Sequence, residues 1–344
     1  MNWTVDAFLQ ELNKATSLDR ERRLNTLSEL ERKQYTINAL KRGLGQFPED
    51  HIPMSPQLIE RKEYDEFYME RLTYTTMPHV QVPVLVLVPK EKKEQYSAVL
   101  ACHGHGSGHY DALGMDAAGN WLDEPGIHQR IALQLVRKGL IVVLPEVMGF
   151  GARRVAKEMN QPPGSNSCAT LSAQLLMNGR TLAGMRVYEA MRALDYMQTR
   201  ADIKPDRIGA FGFSGGSLIA AYSAVLDERM KAIVLSGWMN TFADSILSIR
   251  HCIDNYVPSL LQDAEQTDIV ELLAPRPLFI EAGEHDHIFP VQATRRAVKQ
   301  LEEHYAALGA AQQLDVDIHP GKHQISGVSS VPWLVDQLGV SGSA

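Results

Sequence analysis

R-I-G-A-F-G-F-S-G-G, running from Arg207 to Gly216, decides how the rest of the chain is read. Its first half is a short apolar run, and Gly212-Phe213-Ser214-Gly215-Gly216 fits G-x-S-x-G ahead of the helix-forming stretch Ser217 to Leu226. That order predicts a strand, a sharp turn and a helix. A serine on such a turn sits in strained backbone, so the positions two before and two after it must be almost bare of side chain, a need that Gly212 and Gly216 meet. The turn lifts the Ser214 hydroxyl over the sheet edge. The N–H of Gly215 then points out of the first helical turn, where an oxyanion forming on a bound carbonyl would lie. Glycines beside a serine also make ordinary flexible loops; the strand before and the helix after favour the elbow.

The same alternation extends both ways. Towards the N-terminus, Ala98 to Cys102 reads as a strand running into His103-Gly104-His105-Gly106-Ser107-Gly108. Ile127, Ile131, Leu135 and Val136 form a helical stripe stopping at Gly139, and Leu140 to Leu144 is a fully apolar strand. Met185, Tyr188, Met191, Leu194 and Met197 mark a helix whose methionines read as core filler. Towards the C-terminus come a strand at Ala232 to Leu235 and another at Pro277 to Ala282. A helix from Pro290 to about Leu308, a strand at Leu314, Val316 and Ile318, and a closing helix near Ser329 to Leu338 follow. Strand, helix, strand in repetition predicts an α/β fold with a mostly parallel central sheet and helices on both faces.

Further out, Tyr64 to Pro89 reads as two antiparallel strands broken near Met77-Pro78. Residues 5 to about 45 read as helix, with Phe8, Leu9 and Leu12 as its packing stripe and Asp19 to Arg23 as a solvated face. The expected division is an N-terminal helical extension over 1–60 and an α/β domain over 61–344. Residues 146–178 and 238–270 interrupt the pattern as long excursions, which in compact domains are usually binding loops.

Composition narrows the function classes. The 344 residues can bury a large core, and a hydrophobic fraction of 44% with 22% charged residues describes an ordinary globular protein. A formal charge of −7 argues against nucleic acid as a partner, since phosphate backbones require a basic surface. The N-terminus lacks a cationic start followed by an apolar core, and nowhere do about 18 apolar residues run together, so no membrane association and a cytoplasmic location are expected. Cys102, Cys168 and Cys252 are odd in number and scattered, which suits reduced thiols better than a disulfide framework, and none reads as catalytic on its own. A homo-oligomer is compatible with all of this.

A serine hydroxyl is a poor nucleophile until a base takes its proton, and that base must be oriented by a third group. In the order serine, acid, histidine, the candidates are Ser214, Asp286 and His323. Asp286 follows the end of the Pro277 strand in Gly283-Glu284-His285-Asp286, and His323 follows the next strand, so all three reach the carboxyl edge of the sheet, where open α/β sheets bind ligands. Glu281 and Glu284 are rival acids, one inside the strand and one early in the loop. His285, His287 and His319 are rival bases, each also readable as a structural histidine. Pocket candidates are His103, Phe213, Trp238, and Glu146 with Arg153 in P-E-V-M-G-F-G-A-R-R; for the last two a structural salt bridge is an equal reading. His251 and Tyr256 sit in the second excursion, where they either cover the pocket or merely pack.

These motifs together resemble the α/β-hydrolases, specifically the branch similar to dienelactone hydrolases and acetyl xylan esterases. H-G-H-G at 103–106, G-F-S-G-G at the elbow, L-A-P-R-P-L before the acid strand, G-E-H-D-H-I-F-P around Asp286 and H-P-G-K-H around His323 follow that branch in order, across roughly residues 64–340. The resemblance implies an α/β-hydrolase fold and a second oxyanion donor from the H-G-x-G loop, which by position falls on the backbone N–H of His105. Dienelactone hydrolases carry cysteine at the elbow, whereas Ser214 implies a serine carboxylesterase acting through an acyl-enzyme, without a cofactor, on a small-molecule ester. His103, His105 and His109 also space as H-x-H-x-x-x-H, a pattern zinc can use, but a glycine-rich loop facing an elbow serine explains the glycines and a metal site does not. Peptidase or other acyl-hydrolase chemistry and a non-catalytic scaffold are the alternatives. Neither excursion reads as a long amphipathic lid, so a soluble short-acyl ester, such as an acetylated carbohydrate, is the expected substrate.

Overall fold

The computed structural model describes residues 3–48 and 52–340. In chain order the elements are α1 (Asp6–Leu24), α2 (Glu29–Leu44), β1 (Gln57–Glu63), β2 (Phe67–Met77), β3 (Val80–Pro89), β4 (Tyr96–Cys102), α3 (Ile131–Arg137), β5 (Ile141–Pro145), α4 (Cys168–Met177) and α5 (Leu182–Thr199). There follow β6 (Ile203–Phe213), α6 (Gly215–Leu226), β7 (Met230–Ser236), α7 (Leu260–Asp263), α8 (Gln266–Val270), β8 (Leu278–Gly283), α9 (Val291–Ala307), β9 (Leu314–His319) and α10 (Ser330–Gln337). The strands form one sheet of nine in the order β1-β2-β3-β5-β4-β6-β7-β8-β9. Pairing is antiparallel from β1 through β3 to β5 and parallel from β5 to β9. This is the α/β-hydrolase arrangement.

Apolar runs in the central strands arise because both faces are covered. Leu100, Ala210, Ile233 and Ile280 point to one side, where α2, α5, α6 and α9 close a large core. Their neighbours Val99, Phe211, Val234 and Phe279 point to the other, under α3 and α10. Helices therefore lie on both faces, as the alternation predicts.

Five points of the sequence reading need correction. The N-terminal helix is two helices: Ser28 Oγ accepts from Glu31 N–H while the Glu31 carboxylate accepts from Ser28 N–H at 2.9 Å, a capping box that starts α2 afresh. Phe8 is 65% exposed and Leu9 and Leu12 48%, so this stripe is not the packing face. Instead Leu24, Ala39, Leu40 and Leu44 are buried, with ion pairs from Arg23 and Arg42 to Asp263 (2.8 and 3.0 Å) and from Arg32 to Asp268 (2.6 Å). Strand β1, Q-L-I-E-R-K-E, escaped notice because an exposed edge strand carries charge where a central one carries apolar residues. Helix α3 begins only at Ile131, because Gln129 and Arg130 have positive φ, leaving Ile127 43% exposed. Finally, 146–178 is not all loop: its second half is α4.

Candidate active site

The elbow forms where β6 meets α6. Ser214 takes φ 54°, its N–H donates to Ser236 O at 2.9 Å, and the chain turns at once into helix. A Cβ on Gly212 would lie 2.5 Å from Ser217 Cα, and one on Gly216 2.0 Å from Cys102 O. Bare positions on both sides are thus a steric requirement.

Asp286 and His323 arrive on loops that continue β8 and β9. These loops are tied together by Glu284 N–H donating to His319 O at 2.8 Å and His285 N–H donating to Gly321 O at 2.9 Å. Asp286 Oδ1 accepts from the backbone N–H groups of Ile288 and Phe289 (2.8 and 3.0 Å), which leaves Oδ2 aimed at His323 Nδ1, 2.7 Å away. His323 Nε2 lies 3.0 Å from Ser214 Oγ. The imidazole is held between the rings of Phe213 and Phe289, with centroids at 5.1 and 5.7 Å. Carboxylate, imidazole and hydroxyl thus make one continuous hydrogen-bonded chain.

The rivals have other partners. Glu281 is wholly buried and accepts from Ser236 Oγ, Ser326 N–H, Gly327 N–H and Ser330 Oγ at 2.7–2.9 Å. Two of those donors lie just beyond His323, so Glu281 anchors the loop that carries the imidazole. Glu284, His285 and His287 are exposed. His319 is buried, and its Nδ1 accepts from Gly321 N–H at 3.1 Å.

The loop after β4 closes over the elbow. A Cβ on Gly104 would stand 2.9 Å from Phe213 O and 3.1 Å from Ser214 Cβ, so only glycine lets the two loops touch. Gly104 N–H donates to His128 Nε2 at 3.2 Å. Burial, with the neighbouring histidines, pushes His128 down to about 3, which keeps its accepting nitrogen free of a proton. His103 Nδ1 donates to Gly104 O at 2.8 Å while its Nε2 accepts from Val147 N–H at 3.0 Å. Glu146 accepts from His109 N–H at 2.8 Å; burial raises its carboxyl, but His109 and then His103 outweigh that and hold it at about 2. Sequence reasoning gave no sign of His128, whose role appears only through packing.

The three histidines of the H-x-H-x-x-x-H pattern do not converge. His103 and His109 face Glu146, whereas His105 Nε2 faces Asp254 Oδ2 at 3.3 Å. The pocket candidates are also placed differently from expectation: His103, Glu146, Phe213 and Trp238 are buried, and Arg153 pairs with Glu189 through two contacts of 2.6 Å. Of these only Phe213 touches the triad, through the His323 ring, while Trp238 packs on Tyr222. His251 packs its ring on Phe289 at 5.7 Å, one ring removed from His323, and the Tyr256 hydroxyl donates to Ile246 O at 2.9 Å. A cleft of about 580 Å³ lies elsewhere, between the N-terminal helices and α8–α9, and includes none of the Ser214 group.

A further group went unseen in the sequence. His105 beside the elbow, Cys168 at the start of α4, Cys252, and Asp254 bring one nitrogen, two sulfurs and one oxygen within 4.8 Å of one another. The scattered cysteines are therefore not all apart. Spacing could not reveal this, because the four residues come from three separate segments.

A family model described as Abhydrolase family matches residues 4–313. Over 280 residues the chain is 32% identical to YtaP of Bacillus subtilis (strain 168), named as a hydrolase; the match covers 79% of this chain and 87% of that protein. Among solved structures, a protein from Bacteroides fragilis NCTC 9343 named as an acetyl xylan esterase superposes with a TM-score of 0.77 at 19% identity, over 91% of this chain and 89% of that one. A glucuronoyl esterase from Solibacter usitatus superposes with a TM-score of 0.66 at 14% identity, over 91% and 92%. Both share the fold. Among the described residues no helix is long and apolar enough to cross a membrane.

Proposed function

The chain belongs to the Abhydrolase family, and from that premise we propose that it is a serine-dependent carboxylic-ester hydrolase acting on soluble short-acyl esters. The observation that carries the reading is the chain Asp286 Oδ2 to His323 Nδ1 (2.7 Å) and His323 Nε2 to Ser214 Oγ (3.0 Å). His323 takes the hydroxyl proton as Ser214 Oγ attacks the ester carbonyl, and Asp286 holds the imidazolium that forms. Backbone N–H groups of Gly215 and His105 receive the oxyanion. His323 passes the proton to the departing alcohol, then activates the water that releases the acid from Ser214.

The excursions support a preference for short acyl groups. Their helices are short, α4 of ten residues, α7 of four and α8 of five, so no long apolar lid is available to meet a lipid surface. The names of the acetyl xylan esterase and the glucuronoyl esterase favour a carbohydrate ester. A fluorophosphonate probe should label Ser214, located by peptide mass. On p-nitrophenyl esters kcat/KM should peak from acetyl to butyryl and fall beyond about six to eight acyl carbons, each methylene discriminating by about 1 to 3 kcal/mol. A maximum at the long-chain end, or activation at an oil–water interface, would overturn the substrate reading.

A further inference from the structure

Behind the H-G-H-G loop lies a buried charged group that the proposed ester chemistry does not use. Arg186, from α5, donates to Asp254 Oδ2 at 2.5 Å through Nη1 and to Cys168 Sγ at 3.2 Å through Nη2. His105 faces Asp254 from the other side at 3.3 Å. Cys168 and Asp254 are buried, while Cys252 is half-buried and the His105 side chain is 31% exposed, so those two are the members nearest the surface. The Cys252 and Cys168 sulfurs lie within 4.8 Å of each other, and the Cys168 thiol also faces Asp254 Oδ2 at 3.5 Å. The neighbouring Cys252 thiol, with His105 and Arg186, outweighs burial and the Asp254 charge and draws the Cys168 thiol down to about 6, whereas the Cys252 thiol is pushed up. Burial lowers His105, but Asp254 and Cys168 outweigh it and raise the imidazole to about 9.

One nitrogen, two sulfurs and a carboxylate oxygen are a donor set that zinc accepts. Here the guanidinium of Arg186 already sits on two of the four donors, Asp254 Oδ2 and Cys168 Sγ, and would repel a divalent cation. What remains is a Cys168 sulfur between the Arg186 guanidinium at 3.2 Å and the Asp254 carboxylate at 3.5 Å, with His105 and a second thiol within 4.8 Å, and neighbouring cations are what activate a cysteine towards oxidants.

We propose that Cys168 and Cys252 are an oxidation site, a dithiol that a small peroxide closes to a disulfide, and that closure weakens the neighbouring ester-hydrolysing site through His105. The Cys168 thiolate attacks one peroxide oxygen, the O–O bond breaks, and the departing hydroxide takes up a proton as water, leaving a sulfenic acid. Cys252 then attacks that sulfur, its proton leaving with the hydroxyl as a second water as the S–S bond forms. Two thiols and hydrogen peroxide give one disulfide and two waters. Bond formation removes the Cys168 negative charge, so Arg186 and His105 are left with Asp254 alone. His105 Nδ1 lies 3.5 Å from where a Cβ on Gly215 would stand, so a displaced imidazole disturbs the oxyanion side of the elbow directly.

The test treats the reduced full chain with a small excess of hydrogen peroxide and reads mass and activity separately. The intact protein should lose the mass of two hydrogens, and a linked peptide should join Cys168 to Cys252. Cys102, buried and pushed up to about 12, should remain a free thiol on unfolding. Hydrolysis of a short-acyl ester should fall by up to about a hundredfold, the scale of a misplacement of about 1 Å at a reacting centre, and dithiothreitol should restore it. Cys252→Ser should fold and turn over normally yet show neither the link nor the reversible loss. Peroxide that drives Cys168 to irreversible acids without a link, or zinc retained at one per chain after dialysis against a chelator, overturns the dithiol. A disulfide that leaves turnover unchanged overturns the coupling to His105. The activity arm rests on the esterase reading and the mass arm does not, so failure of that reading is distinguishable from failure of this one.

Discussion

The two walls of the site are built by opposite means. On one, Ser214, Asp286 and His323 each leave the carboxyl end of a strand, β6, β8 or β9, on a short loop, and backbone hydrogen bonds fix their directions. On the other, His105, Cys168, Arg186 and Asp254 come from a strand end, two helices and a turn, and are held by one another's charges. The first wall inherits its geometry from the sheet; the second must make its own. Damage to the first should therefore cost chemistry while sparing the fold, and damage to the second should cost stability first.

The largest expected effect tests the first wall. Ser214→Ala should lower kcat by at least about a thousandfold, since no neighbouring group can replace the nucleophile. Its unfolding midpoint should stay close to wild type, because the lost hydroxyl packs nothing. Asp286→Asn, which still accepts from Ile288 and Phe289 but no longer holds the imidazolium, should lose on the order of a hundredfold or more. Ester turnover near the wild-type rate in either variant would break the contrast outright.

The second wall gives the converse result. Asp254→Asn leaves the buried guanidinium of Arg186 and the His105 cation without their carboxylate, and removing one partner of a buried pair costs about 3 to 5 kcal/mol. Denaturant unfolding measures this directly. A variant as stable as wild type would mean that the charges are not what holds this wall together.

The same difference explains what could be read from the chain. The elbow, the parallel sheet and the convergence of Ser214, Asp286 and His323 on one sheet edge were legible because each depends on local texture: Gly212 and Gly216 flank the serine, Gly283 ends β8, and alternating strands and helices fix which edge the loops reach. The capping box at Ser28 was also local, and its S-x-x-E signature could have split the N-terminal helix in two. Nothing local announced that Cys168 and Cys252 meet, that His128 accepts from Gly104, or that Glu281 grips the loop beyond His323. Those partners are distant in sequence, and each residue taken singly reads as ordinary core. For Glu146 and Arg153 the structural reading is the one the contacts favour: proximity to the strand ends identified both residues, but not the buried partners that they face.

The smallest expected effect sharpens the contrast by pH. His105, raised to about 9, alone would stabilise the fold below pH 6.5 and lose that contribution as pH rises towards 9. Cys168, lowered from 9.0 to about 6, alone would do the reverse over nearly the same interval. Between about pH 6.5 and 9 the folded pair holds one proton, on the imidazole, and the unfolded pair also holds one, on the thiol, so the two slopes cancel. Below 6.5 the balance changes. His128, with His109, His251 and His304, is lowered chiefly by burial, so the unfolded chain takes up protons that the folded chain refuses, and stability falls on acidification through the window from 6.5 to about 3. Glu146 adds to that loss from 4.5 towards about 2, while Glu271, raised to about 7 by burial, works against it between 7 and 4.5. Reduced protein should therefore show a level unfolding free energy from about pH 7 to 9 and a decline below 6.5. The peroxide-oxidised protein, in which Cys168 no longer titrates, should instead lose stability as pH rises above 6.5, because the part of the His105 contribution that Asp254 supplies then stands uncancelled. Identical slopes in the two forms would show that imidazole and thiolate do not titrate as a pair.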